Sequence, residues 1–296
     1  MFVRTDLHGH TFHSDGRATP GGFVQDRKRA GLALIAISDH DVFTASRSGH
    51  ELATGLGMGF LAAAELTSVL HFGTDRAEQI HVLAYYPPDV FEPGRLESKF
   101  FYQRGLRVRA RWREFVLEWI DGLPAFERSL LSRFGTFSRV PATEFPALQT
   151  FLDMIARLTP QLADPFRAHH VRFWLDDSEL FGWAPEELID AIRADGALDF
   201  VAHSVRYRDR ARTRKLIEYA AGVEVFTSRH GPKYTQELLE LAESLGKHWT
   251  ASTDDHQNGA SSTGSGQAYA APASGTPRRT VEAILGHPIP DAWARP

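Results

Sequence analysis

The chain has 296 residues, 43% of them hydrophobic and 24% charged, with a formal net charge of −4; this excludes disorder and fibrous repeats and argues against coating nucleic acid by bulk charge, while leaving room for a local basic groove. No cysteine is present, which removes disulfides, thiolate metal sites and thiol nucleophiles. The longest apolar runs, Leu32 to Ile37 and Phe60 to Ala64, are too short to span a bilayer, and the start Met1 to Asp6 has no secretory apolar stretch, so a cytoplasmic protein with no membrane partner is expected.

In chain order, Phe2-Val3 leads into a polar loop, and Thr19-Pro20 opens a helix through about Ala30, with Pro20 in its first turn. Leu32 to Ile37 reads as a buried strand and Thr44 to Thr54 as a helix. Gly59 to Ala64, Ser68 to Phe72 and Gln79 to Tyr85 read as three further strands, closed by Pro87-Pro88. From about Arg95 to Trp183 long helical patterns take over, including Arg104 to Ile120 with arginines at 104, 107, 109, 111 and 113. Strand and helix then alternate again: helix Pro185 to Ala194, strand Leu198 to Ala202, strand Val223 to Phe226, helix Tyr234 to Leu245 and strand His248 to Ala251. The alternation predicts an α/β protein with a mostly parallel, barrel-like sheet over residues 1–94 and 184–296, interrupted by a helical insertion over 95–183. Gly259 to Thr276, rich in Gly, Ser and Ala, is expected to be a mobile surface loop that gates access.

Histidine carries the functional signal. The chain has 14, and imidazole is the commonest metal ligand and proton shuttle. His8 and His10 follow the first strand two residues apart, so in extended backbone they point the same way. Asp15 lies in a Ser-Asp-Gly turn able to fold back on them. His40 ends the second strand, Glu65 the third, and His203 a later one; His81 sits in an apolar strand, and Asp254 and His256 follow the last. An ionised Glu65 after Phe60 to Ala64 is costly unless something binds it. Strand ends converge at a barrel mouth, so these residues are expected to form a nitrogen and oxygen ligand cluster suited to Zn, Mn or Fe rather than calcium.

Taken together, His8-Gly9-His10-Thr11 with Ser14-Asp15-Gly16, Ser38-Asp39-His40-Asp41, Glu65-Leu66-Thr67, Ile80-His81-Val82, Ala202-His203 and Thr253-Asp254-Asp255-His256 resemble the successive motifs of the PHP (polymerase and histidinol phosphatase) superfamily. The resemblance covers essentially the whole core. It implies a distorted (β/α)7 barrel with a helical insertion, three divalent metal ions and phosphoesterase chemistry. Carried over by residue, His8, His10, Glu65 and Asp254 would hold a first metal, Glu65 with His81 and His203 a second, and Asp15, His40 and His256 a third.

Ala202-His203-Ser204-Val205-Arg206-Tyr207 resembles the branch of 3′,5′-nucleoside bisphosphate phosphatases and the related 5′–3′ exoribonuclease, RNase AM. Val223-Glu224-Val225 with His230 and Pro232, and Arg167-Ala168-His169 with Arg172, resemble further segments of it. The resemblance thus implies Arg206, His230, Arg167, His169 and Arg172 as substrate-binding residues. Ser204 and Asp255 depart from the branch pattern, and Asp255 would add negative charge beside the metals.

The expected activity is hydrolysis of nucleotide or RNA 5′-end phosphate esters by metal-activated hydroxide, with phosphorylated small molecules, nucleotides or short RNA as partners. No nucleophile elbow, Walker loop or dinucleotide fingerprint competes with it. The alternatives are a small-metabolite monophosphatase such as one acting on histidinol phosphate, a metal-binding module without turnover, and hydrolysis at carbon. The arginines at 104–113 read equally well as a solvated face or as phosphate recognition. Trp112, Trp119 and Trp174 read as insertion core, and His13 as a neighbour of the ligand loop.

Overall fold

The computed structural model describes residues 1–132, 136–257 and 275–295. Seven strands form one sheet: β2 (Thr5–Asp6), β3 (Leu34–Ile37), β4 (Gly59–Leu70), β5 (Glu78–Tyr86), β6 (Leu198–Val201), β7 (Gly222–Phe226) and β8 (His248–Ala251), in that order. The outer strands are joined across the seam by loop contacts. Asp254 N–H donates to His8 O (2.8 Å), His10 N–H donates to Asp255 O (2.9 Å), and the Thr5 hydroxyl donates to Ala251 O (3.2 Å). The result is a nearly closed, distorted (β/α)7 barrel.

Two sequence expectations are corrected here. The segments read as separate strands over 59–64 and 68–72 are one twelve-residue strand, because β5 pairs antiparallel along its whole length, from Ala62↔Tyr86 to Leu70↔Glu78. Glu65 therefore sits mid-strand rather than at a strand end. In addition, Phe2–Val3 lies outside the barrel. It pairs with Thr276–Pro277 and Ala294–Arg295 in a small antiparallel sheet, and Thr5–Asp6 is the first barrel strand.

Alternation along each strand sets the layers. Leu61, Ala63, Leu83, Tyr85, Phe200 and Ala202 share the interior cluster, whereas Ala62, Ala64, Val82, Ala84 and Val201 pack outward under the helices. The same parity turns Glu65, His81 and Glu224 inward. Each fully buried Phe or Leu contributes roughly 1.5–3 kcal/mol, which secures a rigid floor. Gly222 is needed for close packing: a Cβ there would lie 2.2 Å from the Phe200 ring.

Helix α1 is Pro20–Arg29, capped at Thr19, and α2 is Ser46–Gly55. The insertion is dominated by α3 (Phe100–Gly122), followed by α4 (Ala125–Ser132), α5 (Leu148–Leu158), α6 (Ala163–His170), α7 (Phe173–Asp176) and α8 (Ser178–Phe181). Trp112, Phe115, Phe151, Phe166 and Phe173 pack together as its core, with Trp119 against them. Arginines bind this layer to the barrel. Buried Arg104 reaches Asp41 (2.7 Å) and Leu180 O (3.1 Å), Arg109 donates to Phe145 O (3.0 Å) and His13 O (3.3 Å), and Arg113 donates to Val140 O (2.8 Å). Arg107 and Arg111 pair with Glu179, Glu118 and Asp176. These arginines are cross-links, neither a bare solvated face nor a phosphate comb. Helices α9 (Pro185–Ala194), α10 (Arg210–Tyr219) and α11 (Pro232–Ser244) complete the outer layer with a last helix over Arg278–Leu285. Among the described residues, no helix is long and apolar enough to cross a membrane. The expected gating loop lies outside the described residues over 259–274, and its last residue, Thr276, is a buried strand residue.

Candidate metal centre

All nine residues expected to ligate metal meet at one end of the barrel. His8, His10, Glu65 and Asp254 form a fully buried group; His10, Asp15, His40 and His256 form a second; His40, Glu65 and His81 form a third. Within each, one potential ligand atom per residue lies within 4.8 Å of the others. Glu65 is the hub. Its Oε1 lies 2.7 Å from His81 Nδ1 and 2.6 Å from His203 Nε2, and its Oε2 lies 3.0 Å from His8 Nε2 and 3.2 Å from His10 Nε2. His81 belongs here because β5 runs opposite to its neighbours, so the start of that strand shares the mouth with the ends of the others.

The loops are fixed by side chains. Asp39 accepts from Thr11 N–H, the Thr11 hydroxyl and the Ser14 hydroxyl, each at 2.7 Å. That folds the turn so that Asp15 faces His40 and His256. Gly16 is required in the turn, since a Cβ would meet His10 O at 2.5 Å. Asp41 and Asp254 adopt left-handed backbone, with φ of 56° and 52°. Such conformations persist in non-glycine residues only where the surroundings enforce them. Here Asp41 N–H donates to Glu65 O and Asp254 N–H to His8 O.

The electrostatics match a cation site. Burial alone would raise the Glu65 carboxyl, but the imidazoles of His40, His8, His81 and His203 hold it well below the usual range. Asp254 is held low against its burial by His8, His10 and His256 in the same way. Burial opposes charge on His10, yet Asp254 and Glu65 raise it to about 10, whereas burial with the nearby imidazoles lowers His40 to about 4. His8 Nε2 and His10 Nε2 are 3.2 Å apart, and the Nδ1 atoms of His10, His40 and His203 are buried without a hydrogen-bond partner. Nitrogen and carboxylate lone pairs facing one another at such spacing are the donor set of a divalent ion. The residues fit the metals that the sequence implies.

Two further groups were given no role by the sequence reading. Glu224 is fully buried; His8 Nδ1 lies 2.9 Å from its Oε1, and His203 N–H donates to its Oε2 at 2.8 Å. It orients a ligand ring in the way carboxylates do behind metal-binding imidazoles. Its signal was available: a carboxylate between Val223 and Val225, at inward parity. Arg229 bonds Asp254 Oδ2 at 2.6 Å, and nothing in the loop sequence distinguishes it.

The cleft above the cluster has Arg206, Arg229, Gln79 and, from the insertion, Leu148, His170, Val171, Trp174 and Leu175 in its walls. Of the expected substrate-binding residues, Arg206 is there. His169 and Arg172 line a different hollow with Phe115 and Trp119, because a helix turns its neighbours by about 100° and it is His170 that faces the metals. Arg167 pairs with Asp164 on the exposed face of α6. His230 lines a separate cavity with Phe226 and Ser252. Asp255 turns away from the cluster to Arg27 (3.1 Å), so it adds no free charge beside the metals. Ser204 bonds Tyr234 (2.9 Å), and His13 bonds Thr44 (2.8 Å).

No family model matches the sequence. The chain is 25% identical over 268 residues to the 5′-3′ exoribonuclease Rnm of Salmonella typhimurium, with 85% of each protein covered. A protein of Bifidobacterium adolescentis named as a metal-dependent phosphoesterase superposes with a TM-score of 0.63 at 21% identity, over 97% of this chain and 96% of that one. The chain thus resembles a metal-dependent phosphoesterase in fold and a 5′-3′ exoribonuclease in sequence. An amidohydrolase of Chromobacterium violaceum shares the fold, with a TM-score of 0.60 at 20% identity over 87% of this chain and 89% of that one.

Proposed function

We propose that this chain is a PHP-type metal-dependent phosphoesterase acting on nucleotides, with 3′,5′-nucleoside bisphosphates or RNA 5′ ends as substrates. One observation carries the reading: a buried histidine and carboxylate cluster floors a cleft with two arginines in its wall. His8, His10, Glu65 and Asp254 would hold one divalent ion, Glu65, His81 and His203 a second, and Asp15, His40 and His256 a third, with Mn, Zn or Fe all suited to this set. When bound, such ions neutralise phosphate oxygens and acidify water. The chain's own residues do the rest. Glu224 accepts the His8 Nδ1 proton, leaving the Nε2 lone pair turned to the cleft. Arg206 is exposed in the wall and free of any carboxylate partner among the described residues, so its fork is available for a phosphate that is not being cleaved. Arg229 holds the outer oxygen of Asp254 and keeps the inner one on the cluster. The exoribonuclease of Salmonella supports an RNA end as substrate. We assign the chemistry to the barrel over 1–94 and 184–296, and the covering of the cleft to the insertion over 95–183.

The test is phosphate release from nucleoside bisphosphates, short 5′-phosphorylated RNA, histidinol phosphate and sugar phosphates, after chelation and reloading with Mn or Zn. Metal-dependent release favouring the nucleotides is expected. Release from histidinol phosphate alone would make the chain a metabolite monophosphatase. No release with either metal, despite full loading, would make it a binding module.

A further inference from the structure

Beside the metal cleft, a second cavity of about 350 Å³ lies over the carboxyl ends of β7 and β8. Phe226 and Pro232 supply apolar walls, and Thr227, His230, Gln236 and Ser252 supply polar ones. Thr227 Oγ1, His230 Nε2 and Ser252 Oγ are each buried without a hydrogen-bond partner, and Ser252 is only 5% exposed. An unmet buried polar atom is costly, so three of them around one cavity point to an absent partner rather than to packing.

The polarity of the site follows from one bond. His230 Nδ1 lies 2.9 Å from Val225 O. A carbonyl only accepts, so the proton is on Nδ1 and Nε2 is an acceptor. Burial holds this imidazole below its ordinary pKa, in keeping with a neutral ring. The occupant must therefore bring an N–H or O–H to His230, which an ionised phosphate cannot do. The two hydroxyls can donate or accept beside it. A flat group with an apolar face and a polar edge fits walls of this kind.

We propose that this cavity is a subsite for the base of a nucleotide, its face on Phe226 and its N–H edge on His230, Thr227 and Ser252. The proposal rests on the nucleotide reading above. Thr227 and His230 flank Arg229, and Ser252 precedes Asp254 by two residues, so the subsite shares a wall with the metal cleft, with base and reacting phosphate on either side of one loop.

The experiment is calorimetric titration of the full chain with unphosphorylated adenosine, guanosine and uridine, and with methyl riboside as the base-free sugar. Nucleosides should bind and methyl riboside should not. Thr227→Val with Ser252→Ala should weaken nucleoside binding about tenfold, as expected for two lost hydrogen bonds, with metal content unchanged by elemental analysis. His230→Gln is the second variant should that pair fail to fold, and it should weaken binding similarly. Absence of nucleoside binding, equal binding of methyl riboside, or variants that bind like wild type would overturn the proposal. Nucleoside binding through these residues without phosphate release from any nucleotide would instead sink the phosphoesterase reading alone.

Discussion

Glu65, Asp254 and His8 are at most 3% exposed, and each is held by other side chains; across the same cleft Val171 and Leu175 stand 53% and 44% exposed. The barrel side is a closed network in which moving one group disturbs several. The insertion side is an apolar wall carried on short helices and tied down by arginines at its base. Groups that must keep their spacing are thus on the barrel strands and on the loops locked to them, and groups that need only offer surface are on the added layer. The two sides should therefore respond differently to mutation.

The largest effect is expected at the hub. Glu65→Gln and Asp254→Asn should each lower bound metal and abolish turnover while the circular dichroism spectrum stays native. Full metal content with normal rates in both would break the assignment of the barrel side. On the other side, Arg104→Met leaves buried Asp41 without its cation and should cost about 3–5 kcal/mol in urea denaturation, the cost of breaking a buried ion pair. An unchanged midpoint would mean that the insertion is held by its apolar contacts alone.

Arg206→Ala sharpens the division. It should cost roughly 2–4 kcal/mol in kcat/KM for a bisphosphate or RNA substrate, and much less for a small monophosphate ester. Equal losses on both would put Arg206 on the reacting phosphate. Glu224→Gln is the mildest change, expected to weaken metal affinity by about 10–100-fold, the usual scale for groups behind a ligand. Rates at saturating metal should largely recover, and failure to recover would give Glu224 a more direct part.

The clustered residues were legible because they stand at strand ends or at inward parity next to an apolar run, where an unpaired charge would be expensive, and Asp15 because it lies in a Ser-Asp-Gly turn close behind His8 and His10. Glu65 shows the limit of that reasoning: its inward direction was readable, but its place mid-strand depended on β5 pairing alongside, which no local pattern reports. The arginines of α3 were ambiguous because a helix periodicity gives a face but not its neighbour. Arg104 and Arg109 turned out to meet backbone carbonyls and Asp41. His169 and His170 differ by one helical step, and only the packing of α6 decides which one looks into the cleft.

The seam between β2 and β8 has a consequence for how the protein comes into being. Its contacts join residues 246 positions apart, as in Thr5 to Ala251, and His8 and His10 stand on one side of it with Asp254 and His256 on the other. Contacts of such separation form late, after the entropy of closing the loop has been met. A chain still emerging, or one whose ends have come apart, lacks Asp254 and His256 from the cluster. An ion held by this set would therefore be captured only by molecules that have finished folding, and would clasp the two sides of the seam together, opposing the separation that begins unfolding.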